Sequence, residues 1–237
     1  VTFMIMGGVC SRNCSFCAVS KGSPLKPNLS EAYSLAQTVL ESGLRYAVVT
    51  SVTRDDLAFG GASEFARVTY LLKKLNPQVR IELLIPDFKC SDTALLLVAR
   101  SSPDIIAHNL ETVERLYPHI RPKGNYRSSL SVLTKIKESE FSGYTKSGLI
   151  LGFGETPEEV VRVMRDLKNT GCAILTLGQY LAPSDKHLPV KEFITIDKFE
   201  FYRHQALVLG FKAVYAGPLV RSSHNAEEVF KEAVARS

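Results

Sequence analysis

Strand-like and helix-like runs alternate along the whole of this 237-residue sequence. Residues 45–51 (RYAVVTS) are apolar and β-branched, as in a buried strand, whereas residues 156–170 open with Thr-Pro-Glu-Glu, which is typical of a capped helix start. Six or seven such strand–helix pairs predict an α/β fold with a parallel sheet flanked by helices. Periodicity alone does not distinguish an open doubly wound sheet from a full or partial barrel.

Cap residues, β-branched runs and glycine or proline stops set the bounds of the predicted elements. We expect Ser30 to cap the first helix, Gly43 to end it, and Ser91 to cap the third helix. The predicted strands are residues 1–6, 45–51, 80–85, 104–107, 146–151, 173–177 and 213–216, and the predicted helices are 31–42, 63–75, 91–100, 126–139, 156–170 and 197–209.

Composition excludes several classes of protein. The net charge is only +5, and the Lys and Arg residues are scattered among acids, which argues against a nucleic-acid partner. No apolar run approaches the roughly 20 residues that a membrane span needs, so no membrane partner is expected. Three of the five cysteines are clustered, which indicates a reducing compartment. We therefore expect a cytoplasmic protein, or one of an organelle matrix if the source is eukaryotic.

The cysteine cluster directly follows the first predicted strand, with the spacing Cys10-x-x-x-Cys14-x-x-Cys17. Three thiolates on one short loop suit an iron–sulfur cluster, because thiolates are the ligands that such clusters prefer. Three ligands on a four-iron cube leave one iron open to a substrate or cofactor. Zinc is the weaker alternative, since zinc sites usually pair two knuckles, and a disulfide is weaker still. Cys90 and Cys172 lie far away and are expected to be small buried residues.

Polar or glycine-rich segments follow nearly every predicted strand. In parallel α/β folds the loops at the carboxyl ends of the strands build the site, so these segments are expected to line a ligand pocket. Besides the cysteine loop, they are residues 50–56, 86–88, 108–111, 152–156, 178–180 and 217–223.

Together these segments resemble the lipoyl synthases, a family of radical S-adenosylmethionine (SAM) enzymes. The resemblance runs in family order from the first residues to near the last, and it implies a partial (β/α)6 barrel of the radical SAM type. The segments that carry it are TFM at 2–4, TSVTRDDL at 50–57, GGA at 60–62, IPDF at 85–88, HNLETV at 108–113, TKSGL at 145–149, LGFGET at 151–156, LTLGQYL at 175–181, PS at 183–184, HLP at 187–189 and GPLVRSS at 217–223.

The resemblance implies a sulfur-insertion reaction. A [4Fe–4S] cluster with bound SAM would generate a 5′-deoxyadenosyl radical, because no protein side chain can remove hydrogen from an unactivated methylene. The radical would act at C6 and C8 of an octanoyl chain on a lipoyl carrier protein. A second, auxiliary [4Fe–4S] cluster would supply both sulfur atoms, and a reduced ferredoxin or flavodoxin-type donor would supply electrons.

The resemblance also implies the cluster ligands. Cys10, Cys14 and Cys17 would hold the SAM cluster, and a serine of the Arg-Ser-Ser motif would ligate the auxiliary cluster. Ser222 is favoured over Ser223. An alkoxide is a harder ligand than a thiolate and holds iron less firmly, which suits a cluster that is consumed. Without the resemblance, the two serines would indicate only a helix cap.

Eight further residues match family positions on the SAM side. Five of them have an ordinary structural alternative: the two acids can charge or cap a helix, the glycine can turn the chain, the lysine can lie at the surface, and the tyrosine can complete the core. These cofactor-binding candidates are Ser51, Asp55, Asn109, Glu111, Lys146, Gly152, Gln179 and Tyr180.

The sequence departs from the family pattern at three places. The auxiliary cluster needs three cysteines spaced Cys-x4-Cys-x5-Cys before the first strand, and none occurs here. We therefore expect residues 1–237 to be a single radical SAM domain from which an N-terminal auxiliary-cluster segment is missing. Phe59 stands where an acid is commoner, and His224 stands where a tyrosine usually follows the serines.

Two alternative functions stay open at this point. One is a radical SAM paralogue with another substrate, and the other is a non-catalytic iron–sulfur or zinc-binding protein that uses the barrel as a scaffold. The basic residues Arg121, Lys123 and Arg127 could meet an acidic carrier domain, although a solvated basic loop explains them equally well.

Overall fold

The computed structural model describes residues 1–236, which form two compact units. The prediction that residues 1–237 make a single domain stays a prediction. The first unit comprises Val1–Arg12, Val19–Ala107 and Lys135–Tyr144, and the second comprises Asn13–Ala18, His108–Thr134 and the chain from Thr145 onward.

The first unit is a parallel sheet with three long helices. Its strands pair in the order β1, β4, β5, β6, all parallel, and β2 and β3 form a separate small parallel pair. The middle of each central strand is buried, because a parallel sheet is covered on both faces; the buried residues include Ala47, Val48 and Val49 in β4 and Ile81, Glu82 and Leu83 in β5. The elements are β1 (Thr2–Ile5), β2 (Val9–Cys10), β3 (Ser20–Lys21), α1 (Glu31–Glu41), β4 (Tyr46–Ser51), α2 (Ala62–Leu75), β5 (Arg80–Leu84), α3 (Asp92–Arg100) and β6 (Ile105–Ala107).

The second unit has three parallel strands and the remaining helices. Strand β8 lies between β7 and β9 and pairs with both of them in parallel. Helix α6 begins with a complete capping box, in which Thr156 and Glu159 each bond the other's backbone amide, so the predicted helix start is confirmed. The elements are α4 (Tyr117–Ile120), α5 (Tyr126–Glu138), β7 (Tyr144–Leu151), α6 (Pro157–Asn169), β8 (Ile174–Gln179), α7 (Ile196–Val208), β9 (Ala213–Gly217) and α8 (Ala226–Ala235).

Alternation along β7 divides the second unit's sheet into two chemically different faces. Leu149 and Leu151 point to one side, where they join the apolar core with residues of α6 and α7. Lys146, Gly148 and Ile150 occupy the other side by the same alternation. The face that carries Gly148 is where the polar residues of this unit collect.

The structure confirms all the predicted strands and helices, mostly to within one or two residues at each end. One expectation needs correction. Ser30 stands at the start of α1, but its hydroxyl bonds the Asn28 side chain instead of the helix backbone. Helix α8, the short α4 and the β2–β3 pair were not predicted. None of the helices in residues 1–236 has the length and apolar character that a bilayer crossing needs.

Candidate active site

The first part of the cysteine loop belongs to the first unit. Cys10 ends β2 and is half-buried. The Gly22 amide donates to its carbonyl at 3.1 Å, and the Arg12 amide lies 3.4 Å from its Sγ atom, within hydrogen-bond range for sulfur. The backbone therefore fixes Cys10 from both sides, and one amide points at its sulfur.

The Arg12 side chain bridges two carboxylates that lie after the ends of β4 and β5. Its guanidinium donates to Asp55 at 2.7 and 2.9 Å and to Asp87 at 2.6 and 2.7 Å. Arg12 and Asp87 are buried, and the hydrogen bond from Arg12 lowers the pKa of the Asp55 carboxyl. The structure thus gives Asp55 an internal partner, and its predicted contact with SAM stays a prediction.

Ser51, at the end of β4, differs from Asp55 in that its side chain has no hydrogen-bond partner among the described residues. Its Oγ atom is buried, and it makes no hydrogen bond to any of residues 1–236. A buried hydroxyl without a partner is costly unless a ligand or water completes it. This atom fits the predicted contact to a polar cofactor.

Arg54 was not predicted as a site residue, although it lies in the same loop. Its side chain is 1% exposed and donates to the carbonyls of Met6 at 3.0 Å and Leu25 at 2.9 Å, while pairing with Asp56. It ties the end of β1 to the loop after β4. Only the run of charged residues at 54–56 could have indicated it from the sequence.

The rest of the cysteine loop belongs to the second unit. The Cys17 amide donates to the Cys14 carbonyl at 3.2 Å, which closes a turn between the two cysteines. The Ser15 amide donates to the Ile120 carbonyl at 2.9 Å, and His187 Nε2 lies 3.3 Å from the Cys17 carbonyl. Both cysteines are half-buried, so their thiols stay within reach of a ligand.

Phe16 anchors the same turn through aromatic contacts. Its ring lies 6.5 Å from that of Phe153, which in turn lies 4.2 Å from the ring of Tyr180. The Tyr180 hydroxyl donates to the Leu188 carbonyl at 2.7 Å. Tyr180 therefore completes a local core, as its structural alternative proposed, and its contact with adenosine stays a prediction.

Asn109 and Ser222 meet over Gly148. Asn109 Nδ2 donates to Ser222 Oγ at 2.5 Å, across 113 residues of sequence. A Cβ atom at Gly148 would lie 2.9 Å from Asn109 Oδ1 and 3.1 Å from Ser222 Oγ, so only glycine leaves room for this pair. Asn109 Oδ1 is buried and makes no hydrogen bond within the described chain. The contact joins two segments that the sequence assigned to one site.

Glu111 lies on the same side of the unit in a left-handed backbone conformation, with φ of 70°. Burial raises the pKa of its carboxyl, and nearby Arg121 partly opposes that rise. Arg121 donates to the Asn109 carbonyl and to the Tyr117 hydroxyl, each at 3.0 Å. The Arg121 guanidinium thus has partners within its own unit, and its suggested contact with a carrier protein stays a prediction.

Gln179 is held by the backbone that follows it in the chain. Its Oε1 atom accepts from the Ile194 amide at 2.8 Å, and its Nε2 atom donates to the Glu192 carbonyl at 3.0 Å. Glu155 accepts from the Gly152 amide at 2.5 Å. These bonds give Gln179 and Gly152 a structural role, and their predicted cofactor contacts stay predictions.

Lys146 is fully buried in β7, two residues before Gly148 and on the same face by alternation. Its predicted role toward the SAM carboxylate stays a prediction. Cys172 is completely buried, and burial raises the pKa of its thiol to about 12, so it is a protonated core residue as expected. Cys90 is half-buried in a turn.

Across residues 1–236, no three His, Cys, Asp or Glu side chains gather in an arrangement that could hold a metal ion. Ligation by Cys10, Cys14 and Cys17 accordingly stays a prediction. The buried polar atoms Ser51 Oγ and Asn109 Oδ1, each considered within its own unit, suit a ligand rich in hydrogen-bonding groups, such as SAM.

Comparison with known proteins settles the family. The profile of the Radical SAM superfamily matches residues 4–167. The lipoyl synthase of Caldicellulosiruptor bescii is 52% identical over 226 residues, which are 95% of this chain and 78% of that protein. The chain belongs to the lipoyl synthase family. The lipoyl synthase of Proteus mirabilis is 48% identical over 227 residues, covering 95% of this chain and 71% of that one.

Solved structures with little sequence identity show the same fold. Methylornithine synthase gives a TM-score of 0.67 at 16% identity, covering 90% of this chain and 63% of its own. HydG, a maturase of the [FeFe]-hydrogenase, gives 0.71 at 14% identity, covering 99% and 53%. The predicted α/β partial barrel of the radical SAM type is confirmed, and the predicted family is confirmed with it. The identity to lipoyl synthases decides against a scaffold protein without catalysis.

Proposed function

We propose that this lipoyl synthase family member inserts sulfur at C6 and C8 of an octanoyl chain carried on a lysine of a lipoyl carrier protein. The structural observation that carries the proposal is the contact of Asn109 with Ser222 over Gly148. It brings the proposed SAM-binding segment and the proposed auxiliary-cluster ligand to one point of the second unit.

Cys10, Cys14 and Cys17 would hold the SAM-binding [4Fe–4S] cluster. The reduced cluster with bound SAM supplies the radical chemistry that removes hydrogen from an unactivated methylene. The half-buried state of all three cysteines supports this role, because a ligand thiol must be accessible yet shielded from bulk water.

The polar residues of each unit would bind SAM. Ser51 Oγ and Asn109 Oδ1 are buried acceptors that an ammonium or ribose hydroxyl would complete. A cation beside Glu111 would favour its ionised form and offset the effect of burial on its pKa. The remaining proposed contacts, which have structural partners already, are Asp55, Lys146, Gly152, Gln179 and Tyr180.

Ser222 would ligate an auxiliary [4Fe–4S] cluster that supplies the sulfur atoms. Its Oγ atom accepts a hydrogen bond from Asn109 in this structure, and an alkoxide oxygen has enough lone pairs to keep that bond while it binds iron. The five cysteines of this sequence do not repeat the family's second cysteine motif.

Two partners follow from the proposed reaction. One is the octanoylated carrier protein or domain, and the other is a reduced ferredoxin or flavodoxin-type electron donor. Both the oxygen-sensitive clusters and the free thiols suit the cytoplasm or an organelle matrix.

The test is anaerobic reconstitution of the natural full-length protein, followed by iron and sulfide analysis and by mass spectrometry of an octanoylated carrier domain. About eight irons per chain and a carrier that gains two sulfur atoms support the proposal, since each cube holds four irons. About four irons, with SAM cleaved but the carrier unchanged, would instead support a paralogue.

Ser222→Ala and Ser223→Ala make a matched pair for the ligand assignment. Ser222→Ala should abolish sulfur insertion while SAM cleavage persists, because only the auxiliary cluster loses a ligand. Ser223→Ala should keep both. The reverse pattern would assign Ser223 as the ligand.

A further inference from the structure

Arg12, which lies between the first two cysteines of the loop, is held by more side-chain hydrogen bonds than the residues beside it. Arg12 uses four N–H groups on Asp55 and Asp87, one pair on each carboxylate. A guanidinium has five such donors in a rigid plane, so this double fork uses nearly its whole capacity. No other basic side chain can reproduce the arrangement.

The two carboxylates come from loops that are far apart in sequence. Asp55 is 43 residues from Arg12, and Asp87 is 75 residues away. Each follows the carboxyl end of a central strand of the first unit. Arg12 therefore pins the cysteine loop to two positions of a buried sheet.

The turn that follows Asp87 is strained, which shows how firmly this position is built. Phe88, Lys89 and Cys90 all have left-handed backbone conformations, with φ of 45°, 52° and 56°. Such angles are costly for residues other than glycine and persist only when the surroundings enforce them. Asp87 also accepts from the Lys89 amide at 3.0 Å, so its carboxylate holds the strained turn and Arg12 together.

The backbone of Arg12 points at the neighbouring cysteine. Its amide lies 3.4 Å from Cys10 Sγ. Hydrogen bonds to the ligand sulfurs are among the features that set the reduction potential of an iron–sulfur cluster, because they stabilise the added negative charge. Because the amide and the side chain belong to the same residue, the hydrogen bonds that hold the Arg12 side chain also restrict the position of its amide.

We propose that Arg12 is a positioning residue: clamped between Asp55 and Asp87, it holds its own amide on Cys10 Sγ and so raises the reduction potential of the SAM-binding cluster. The inference rests on the proposed function for the presence of that cluster. The clamp itself is a property of the chain without cofactors.

Amide hydrogen exchange on the cluster-free, full-length protein tests the clamp. Arg12→Lys keeps the charge but loses the double fork, so exchange of the Ser11 and Arg12-position amides should accelerate by about tenfold or more, as the loss of charge-assisted hydrogen bonds predicts. Asp87→Asn should act in the same direction. Arg80→Lys is the matched control, because Arg80 pairs with Asp104 at an exposed position of the same unit.

A potential measurement on the reconstituted protein tests the tuning. Arg12→Lys should shift the midpoint potential of the SAM-binding cluster to a more negative value, since formal charge is preserved and only the N–H···S contact weakens. Arg80→Lys should leave it unchanged. A purely structural role would change iron content or thermal stability without moving this potential.

The outcomes separate the inference from the proposed function. Unchanged amide exchange in both Arg12→Lys and Asp87→Asn overturns the clamp, and an unchanged potential in Arg12→Lys overturns the tuning. If a variant fails to fold, the other variant of the pair decides. The protein could show the expected changes in amide exchange and in midpoint potential and yet never modify the carrier. That result would support the role of Arg12 and refute the proposed sulfur insertion.

Discussion

The candidate site residues of the two units are held in different ways. In the first unit, Arg12, Asp55 and Asp87 form a charged network in which the carboxylates and the guanidinium already satisfy one another. In the second unit, Asn109 and Ser222 are neutral, and Asn109 Oδ1 is buried with no hydrogen bond inside the described chain. The first arrangement fixes a loop, and the second leaves binding capacity for a ligand.

The difference shows how to distinguish residues that build a site from residues that use it. A buried charge that lacks its partner is expensive, so charged networks are complete before any ligand arrives. A buried amide oxygen without a partner costs less and can be completed on binding. Substitution of the charged residues near the cysteines is therefore expected to lower mainly the free energy of unfolding. Substitution of the neutral residues is expected to lower mainly the affinity for SAM.

The largest effect should come from Arg12→Gln. This change leaves two carboxylates without their cation, and it should lower the free energy of unfolding by about 3–5 kcal/mol. Urea unfolding of the cluster-free protein measures it. Arg80→Gln breaks an exposed pair and should cost less than about 1 kcal/mol. Equal losses of unfolding free energy in the two variants would show that the buried network of Arg12 is no more important for stability than an exposed ion pair.

Gly148→Ala should have the next largest effect. Its Cβ would come within 2.8 Å of Thr176 Oγ1 and within 3.1 Å of Ser222 Oγ, and such overpacking costs about 1–3 kcal/mol. Gly217→Ala in the same sheet is the control, because its Cβ would meet only Val220 at an ordinary 3.5 Å. Similar unfolding free energies for both variants would show that the Asn109–Ser222 pair adapts freely.

Asn109→Ala should affect binding more than folding. SAM affinity of the reconstituted protein, measured by calorimetry, should fall about tenfold for a lost hydrogen bond to a charged ligand. Thr112→Val is the control, since Thr112 Oγ1 is also buried without a hydrogen bond in residues 1–236 but has no proposed role. A loss of stability without a loss of affinity in Asn109→Ala would place Asn109 with the structural residues.

The smallest effect is a contrast in pH dependence. The pKa of Glu111 is raised by burial, so the folded state binds its proton more tightly, and stability from this group falls as pH rises through the folded pKa. The pKa of Asp55 is lowered by Arg12, so its contribution is lost as pH falls below the usual aspartate range.

Glu111→Gln and Asp55→Asn, unfolded in urea from pH 3 to pH 8, check these opposite signs. Glu111→Gln should gain stability relative to the parent protein as pH rises, and Asp55→Asn should lose it. If the relative stabilities of both variants changed in the same direction with pH, the described environment of either Glu111 or Asp55 would be wrong.

Local sequence patterns predicted the fold well because caps, glycine stops and β-branched runs act over a few residues. Thr156 and Gly43 behaved as expected for that reason. Helix α8 was missed although Glu227 and Glu228 in its first turn and the buried Val229 and Ala233 are a readable signal.

The site was only partly predictable. Resemblance selected Asn109, Glu111 and Ser222, which the structure brings to one face, but it gave no reason for the clamp on Arg12. That role depends on partners 43 and 75 residues away, and no local pattern encodes such pairings. The contacts of Arg121 with the Asn109 carbonyl and the Tyr117 hydroxyl were likewise not indicated by the local sequence.

The hydrogen bond between Asn109 and Ser222 also bears on the order in which the second unit is completed during synthesis. Its two residues are 113 positions apart, so this part of the site does not exist until all three strands of the second unit have been synthesised and have paired. Contacts of such long range form late in folding. A nascent chain on the ribosome therefore exposes the thiols of Cys10, Cys14 and Cys17 well before the contact between Asn109 and Ser222 can form.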